Sequence, residues 1–244
     1  MPYPPLASRG NAGLFSGRGA RNISLILFEL ANRSPVSTWD LAKALTADDQ
    51  TYQEVKKKEA VVFRIILGRQ RLSARSPGLV DRGYVALSSA RAYRGKKVAL
   101  YSPTLKGLVA AICLNQSALP ASKLAGWVSR FASTHLVYHL LQKLADDGQE
   151  ALVELFHYSL ADYFSRGLLN LELVDDQLVC EGMLYVLRRI LVDSEERNGT
   201  ESASSARRTF GRLLQEHQAS GYWYKIDNAT MVETISLFCF SERV

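Results

Sequence analysis

The sequence predicts a mainly α-helical protein with one small β-hairpin: a basic N-terminal domain followed by an all-α C-terminal domain. Three observations carry that expectation. Apolar residues recur at helical spacing through most of the chain, period-two alternation is confined to residues 84–101, and the charge is unevenly divided. Over residues 1–115, 18 Lys and Arg stand against 7 Asp and Glu, a balance of +11; over 116–244 the figures are 12 and 17, a balance of −5. A basic front half joined to a mildly acidic back half suggests that one end meets a polyanion while the other does something else.

Residues 1–20 hold Gly10, Gly13, Gly17 and Gly19, three prolines, Arg9 and Arg18, which predicts a flexible basic arm. ISLILFELANRS then predicts a helix over about 22–33. Ser34-Pro35 stops it, because the residue before proline avoids the helical region. Ser37-Thr-Trp-Asp40 has capping-box spacing and opens a short helix through Leu45, which Ala47-Asp-Asp-Gln breaks. Thr51-Tyr-Gln-Glu54 repeats the spacing and opens a third, longer helix.

On that third helix Val55, Val62 and Ile66 share one face, with Tyr52 and Phe63 at its edge. Lys57, Arg64, Arg71 and Arg75 fall within about 40° of one another on the opposite face, a cationic stripe that holds if the helix continues through Gly68. Pro77-Gly78 ends the helix in any case. In YVALS, Val85 and Leu87 alternate with Tyr84, Ala86 and Ser88; in KVALY, Val98 and Leu100 alternate with Lys97, Ala99 and Tyr101. The pattern predicts an antiparallel ribbon with a packed face, resting on the three helices, and a tip carrying Arg91, Arg94, Lys96 and Lys97. Ser102 as N-cap and Pro103 at the first helical position should open a helix to about Leu114.

The back half has no clear strand pattern. Residues 122–146 read as a helical run ended at Gly148, 149–166 as a second ended at Gly167, and Asp175-Asp176 as the cap of a third through Val192. A polar connector over 193–206 precedes helices over about 207–219 and 228–240. These divisions give an arm over 1–20, a basic domain over 21–115 and an all-helical domain over 120–244, the last expected to dimerise or to sense a signal.

The order helix, helix, helix, strand, strand, helix, with GLVDRGYVAL, a basic turn and KVALYSPTLKGLVAAI, resembles the winged helix-turn-helix superfamily of archaeal and bacterial transcriptional regulators over about residues 21–115. In that superfamily a Gly-Leu-Val closes the recognition helix, and a Tyr-x-Leu-Thr-x-x-Gly-like run leads out of the wing. Here the run is Tyr101-Ser-Pro-Thr-Leu-Lys-Gly107, with Pro103 where leucine is usual, and the stretch from Leu67 or Leu72 to Gly78 is longer than usual. The resemblance implies a third helix in the major groove of double-stranded DNA, with Lys57, Arg64, Arg69 and Arg71 at the duplex and Lys56 and Lys58 on phosphates. It places Arg91, Arg94, Lys96 and Lys97 on a wing at the adjacent backbone or minor groove. The function it implies is a homodimeric DNA-binding transcriptional regulator, cytoplasmic and nucleoid-associated, acting by occupying a site. The alternative is a winged-helix adaptor that docks proteins without DNA.

Other chemistry finds little support. Cys113, Cys180 and Cys239 are odd in number and widely spaced, without C-x-x-C, and read as reduced core thiols. His135 and His139 stand one turn apart and Glu154 precedes His157 by three, but neither has the further ligands a metal site needs. No G-x-S-x-G, G-x-x-x-x-G-K or G-x-G-x-x-G occurs, so no enzyme and no cofactor is expected. No apolar run reaches the ~20 residues that span a bilayer, and the first residues, without a compact apolar core, are not expected to act as a secretory signal. The cluster Tyr222-Trp-Tyr224 reads as packing within the helical domain or at a subunit contact.

Overall fold

A proline ends the first helix, and capping boxes open the second and third. The computed structural model describes residue 15 and residues 19–46, 51–70, 75–93, 95–115, 121–166, 170–172, 174 and 176–198. Helix α1 spans Ala20–Arg33 and ends where Ser34 turns to φ −56°, ψ 146°, the extended geometry required before Pro35. Helix α2 spans Thr38–Ala44. Its capping box is formed: Ser37 Oγ accepts from Asp40 N at 3.1 Å, and Asp40 Oδ2 accepts from Ser37 Oγ at 2.7 Å and from Ser37 N at 3.5 Å. Helix α3 spans Tyr52–Leu67 and opens on the second box, with Glu54 Oε2 accepting from Thr51 N at 2.8 Å and from its hydroxyl at 2.9 Å. The expected Val55, Val62 and Ile66 are its buried residues. Tyr52 and Phe63, read as edge residues of that buried face, are 64% and 51% exposed.

The helix stops at Leu67, and with it the long cationic stripe. Gly68 takes φ +81°, and a Cβ at either Gly68 or Gly78 would overlap the backbone of the other. The returning chain then occupies carbonyls at the end of α3: Leu79 N donates to Ile65 O at 2.9 Å and Val80 N to Ile66 O at 3.0 Å. Between the two glycines lies a short antiparallel pair that the sequence did not predict, β1 (Arg69–Gln70) with β2 (Arg75–Ser76). Arg69 and Arg75 are therefore strand residues, Arg71 lies outside the described residues, and only Lys57 and Arg64 of the four keep helical alignment.

Strands β3 (Val85–Tyr93) and β4 (Lys96–Pro103) form the expected antiparallel ribbon, with Gly95 before β4 at φ +74°. Its packing differs from the alternation reading. Val85 is buried but Leu87 is 63% exposed, and Val98 and Leu100 are half-buried, whereas Tyr84, Tyr101 and Pro103 are buried. A register shift between Leu87 and Ser89 interrupts the alternation, and β4 rests on α1, α2 and helix α4 (Leu105–Asn115). Val36 adds a third chain to the sheet: its N–H donates to Tyr101 O at 3.0 Å, and Tyr101 N donates back at 2.8 Å. The cap of α4 is Thr104, not Ser102, and Pro103 ends β4. Thr104 Oγ1 accepts from Gly107 N at 3.1 Å and donates to Gly83 O at 2.6 Å. This bond ties the start of α4 to the turn before β3.

The chain divides into two compact units, Met1–Ser117 with Phe164–Asp176, and Ala118–Tyr163 with Gln177–Val244. In the first, Lys106 Nζ donates to Val174 O at 2.9 Å and lies 4.6 Å from the centroid of the Tyr84 ring. Phe15 is fully buried, with its ring 5.4 Å from Tyr84 and 6.1 Å from Phe164. The expected arm is thus anchored at Phe15; residues 1–14 and 16–18 lie outside the described residues. Burial pushes the Tyr84 phenol well above its ordinary range.

The second unit is helical among its described residues. The run expected over 122–146 is two helices, α5 (Ala121–Phe131) and α6 (Leu136–Asp146). At the break Thr134 N and Thr134 Oγ1 both donate to Phe131 O, at 3.0 and 3.1 Å. Helix α7 spans Glu150–Ser165 and α8 spans Asp176–Asn198. The last runs six residues past Val192, because Asp193-Ser-Glu-Glu-Arg-Asn contains no helix breaker before Gly199. Trp127, Val128, Tyr138, Leu141, Phe156 and Leu160 are buried here. So is His157, whose Nδ1–H donates to Val153 O at 2.7 Å. The helices expected over 207–219 and 228–240, and Tyr222-Trp-Tyr224, lie outside the described residues. Among the described residues no helix is long and apolar enough to cross a membrane.

Two consequences can be measured. A Cβ at Gly107 would overlap Tyr84 O, whereas one at Gly126, exposed on α5, meets nothing within 4 Å. Gly107→Ala is expected to destabilise by about 1–3 kcal/mol and Gly126→Ala to stabilise by up to about 1 kcal/mol, read from urea melts. Burial lowers the His157 pKa from 6.5 to about 4. The unfolded chain therefore takes up this proton first as pH falls. The stability is complete above pH 6.5 and is lost progressively towards pH 4, by about 2–3 kcal/mol. In His157→Leu that part of the pH dependence of the urea midpoint should vanish.

Candidate nucleic-acid interface

The outward face of α3 follows from what its inner face buries. With Val55, Val62 and Ile66 turned inward, Gln53, Lys56, Lys57, Ala60, Phe63 and Arg64 are exposed. Arg64 Nε donates to Ala60 O at 2.8 Å, which holds the guanidinium along the helix. Glu54, the acid nearest the start of this face, is committed to the cap. Its bonds from Thr51, with help from Lys57, keep its carboxyl below the ordinary range. Lys58 belongs to the flank: it is half-buried, and its Nζ lies 3.5 Å from Asn22 Oδ1 on α1.

Helix α2 connects this face to the ribbon. Thr38 Oγ1 donates to Glu59 Oε1 of α3 at 3.1 Å, and the Trp39 and Tyr52 rings lie 5.3 Å apart. On its other side Asp40 Oδ2 accepts from Arg91 of β3 at 3.1 Å. Arg91 is opposite Val98 and Tyr93 is opposite Lys96, while Ala92 is opposite Lys97. Lys96 and Lys97 are both exposed at the end of the ribbon.

The structure thus brings Lys56, Lys57 and Arg64 together on α3, and Arg91, Lys96 and Lys97 together on the ribbon. It sets Lys58 aside and puts Arg69 in β1, where its backbone alone is described; Arg71 and Arg94 lie outside the described residues. Comparison with family models, curated proteins and solved structures returned no match.

Sequence reasoning missed the Asp40–Arg91 pair, which joins residues 51 positions apart. The capping box at Asp40 was visible, but nothing local indicates that its carboxylate has a third donor. The spacing of Gly68 and Gly78 around an Arg-rich stretch was a usable sign of the extra strand pair. Among the described residues no three His, Cys, Asp or Glu side chains gather where a metal could be held, and His135 and His139 are half-buried on α6 and its N-terminal flank.

Proposed function

We propose that the N-terminal unit is a winged helix-turn-helix module that binds double-stranded DNA, and that the protein is a transcriptional regulator acting by occupancy. In this reading α3 is the recognition helix, with Lys57 and Arg64 facing base edges and Lys56 a phosphate. The β3–β4 ribbon is the wing, with Lys96 and Lys97 on the neighbouring backbone or minor groove. The single observation that supports it most is the position of α2, bonded to α3 through Thr38 and to the ribbon through Asp40. Two cationic elements separated in sequence thereby share one support. The second unit is assigned to dimerisation or signal sensing; exposed Leu155 and Tyr158 on α7 and Leu178 and Tyr185 on α8 favour an interaction role for it.

Exposed Tyr52, Phe63 and Leu87 favour the second reading, an adaptor that docks a protein on the same face. A duplex titration separates the two. With six to eight phosphates neutralised, log affinity should fall against log salt with a slope of about −5 to −7. Lys57→Glu with Arg64→Glu should abolish binding, and Lys96→Glu with Lys97→Glu should weaken it, while helical content and melting stay as in the parent. Salt-insensitive partner binding with no duplex shift would favour the adaptor.

A further inference from the structure

Arg91 is a cation on a proposed DNA-binding wing, yet one nitrogen of its guanidinium is paired within the protein, with Asp40 Oδ2 at 3.1 Å. We infer that Arg91 is a positioning residue: its pair with Asp40 is a strut that holds the outer half of the ribbon at a set angle to α3, so that Lys96, and not Arg91, makes the phosphate contact. This rests on the DNA-binding reading above.

Three observations carry it. The ribbon is supported at its base only in part: β3 is buried at Val85 and exposed from Ala86 to Tyr93. A projecting two-stranded ribbon is weakly stable alone. The register shift lies between Leu87 and Ser89, which is where such a ribbon bends. Arg91 is two residues beyond that shift, towards the tip, and it reaches back across it to α2. A tie placed there opposes bending at the bulge, whereas a tie at the base would not.

The acceptor is also prepared in advance. Asp40 is the third residue of α2, and its Oδ2 already takes the Ser37 hydroxyl at 2.7 Å. The carboxylate is thereby ordered before Arg91 arrives, which lowers the entropy lost in forming an exposed pair. Strand alternation does the rest. Arg91 and Tyr93 share one ribbon face, and Tyr93 is opposite Lys96, so the strut that draws Arg91 to α2 turns Lys96 towards the same side. Lys97, opposite Ala92, belongs to the other face.

The test is a double-mutant cycle with Asp40→Asn and Arg91→Gln in the full chain. Asp40→Asn leaves the main N-cap bond intact, because that bond uses the Asp40 backbone N–H. Each single variant should weaken duplex binding by about two- to five-fold, and the double variant by no more than either single. The salt slope should not change, whereas loss of a direct phosphate contact reduces it by about 0.9. Hydrogen exchange without DNA should quicken for ribbon amides between Ser89 and Ala99 in both variants. Tighter binding by Asp40→Asn would overturn the proposal, since it would make Asp40 a competitor that withholds Arg91 from DNA. A reduced salt slope in Arg91→Gln, or unchanged ribbon exchange in both variants, would overturn it as well. If the parent chain binds no duplex at all, the DNA reading fails, and the exchange measurement still decides whether the strut orders the ribbon.

Discussion

The arrangement of the basic unit depends on two backbone hydrogen bonds between Val36 and Tyr101. Val36 follows Pro35, at the point where the chain has left α1 and not yet entered α2; Tyr101 lies near the base of β4. Joining them makes the ribbon an extension of the helical core. Without this bridge the ribbon would keep only the backbone bonds at its base, such as Val85 N to Leu79 O at 3.3 Å, and its outer part would lose its backbone link to the segment that leads into α2. With it, Asp40 comes within reach of Arg91, and the two cationic elements are held on one support. Each link is individually small, since backbone bonds exchange with water and exposed ion pairs contribute little. Their effect is on position.

Position matters because the charge on this surface acts as a set. A single lysine at the surface is screened within about 10 Å at ordinary salt. Lys56, Lys57 and Arg64 reinforce one another on adjacent turns of α3, and the basic half-chain carries few acids to oppose them. Two of those acids, Asp40 and Glu54, are occupied as caps. Arg91 shows the reverse case: a cation with the right sign and the right element whose contact is internal. A count of basic residues along a ribbon therefore includes cations already paired within the protein.

The legible parts of the fold were the local ones. Both capping boxes, the stop before Pro35, the inner face of α3 and the existence of the ribbon follow from spacings of a few residues. What escaped were contacts between distant segments. The end of α3 is decided by Gly68 passing Gly78, a steric fact with no periodic trace. Alternation correctly announced strands, but it could not report how far along the ribbon the supporting helices extend, so Leu87 was assigned to a packed face it does not occupy. Lys106 sits in an apolar helix because Val174 and the Tyr84 ring receive its ammonium, and that segment returns from 68 residues away. The candidate site divides the same way: helical spacing places Lys57 and Arg64 on the outer face of α3, and nothing in the spacing indicates the pairing of Arg91 with Asp40.

The central claim is that α3 and the ribbon present their cations to one partner at once. Amine-reactive footprinting of the full chain, with and without duplex DNA, tests it directly. Lys56, Lys57 and Lys96 should be protected together and over the same range of DNA concentration, while Lys143 on α6 stays reactive. Protection of the helix lysines without Lys96, or of neither, would contradict the account.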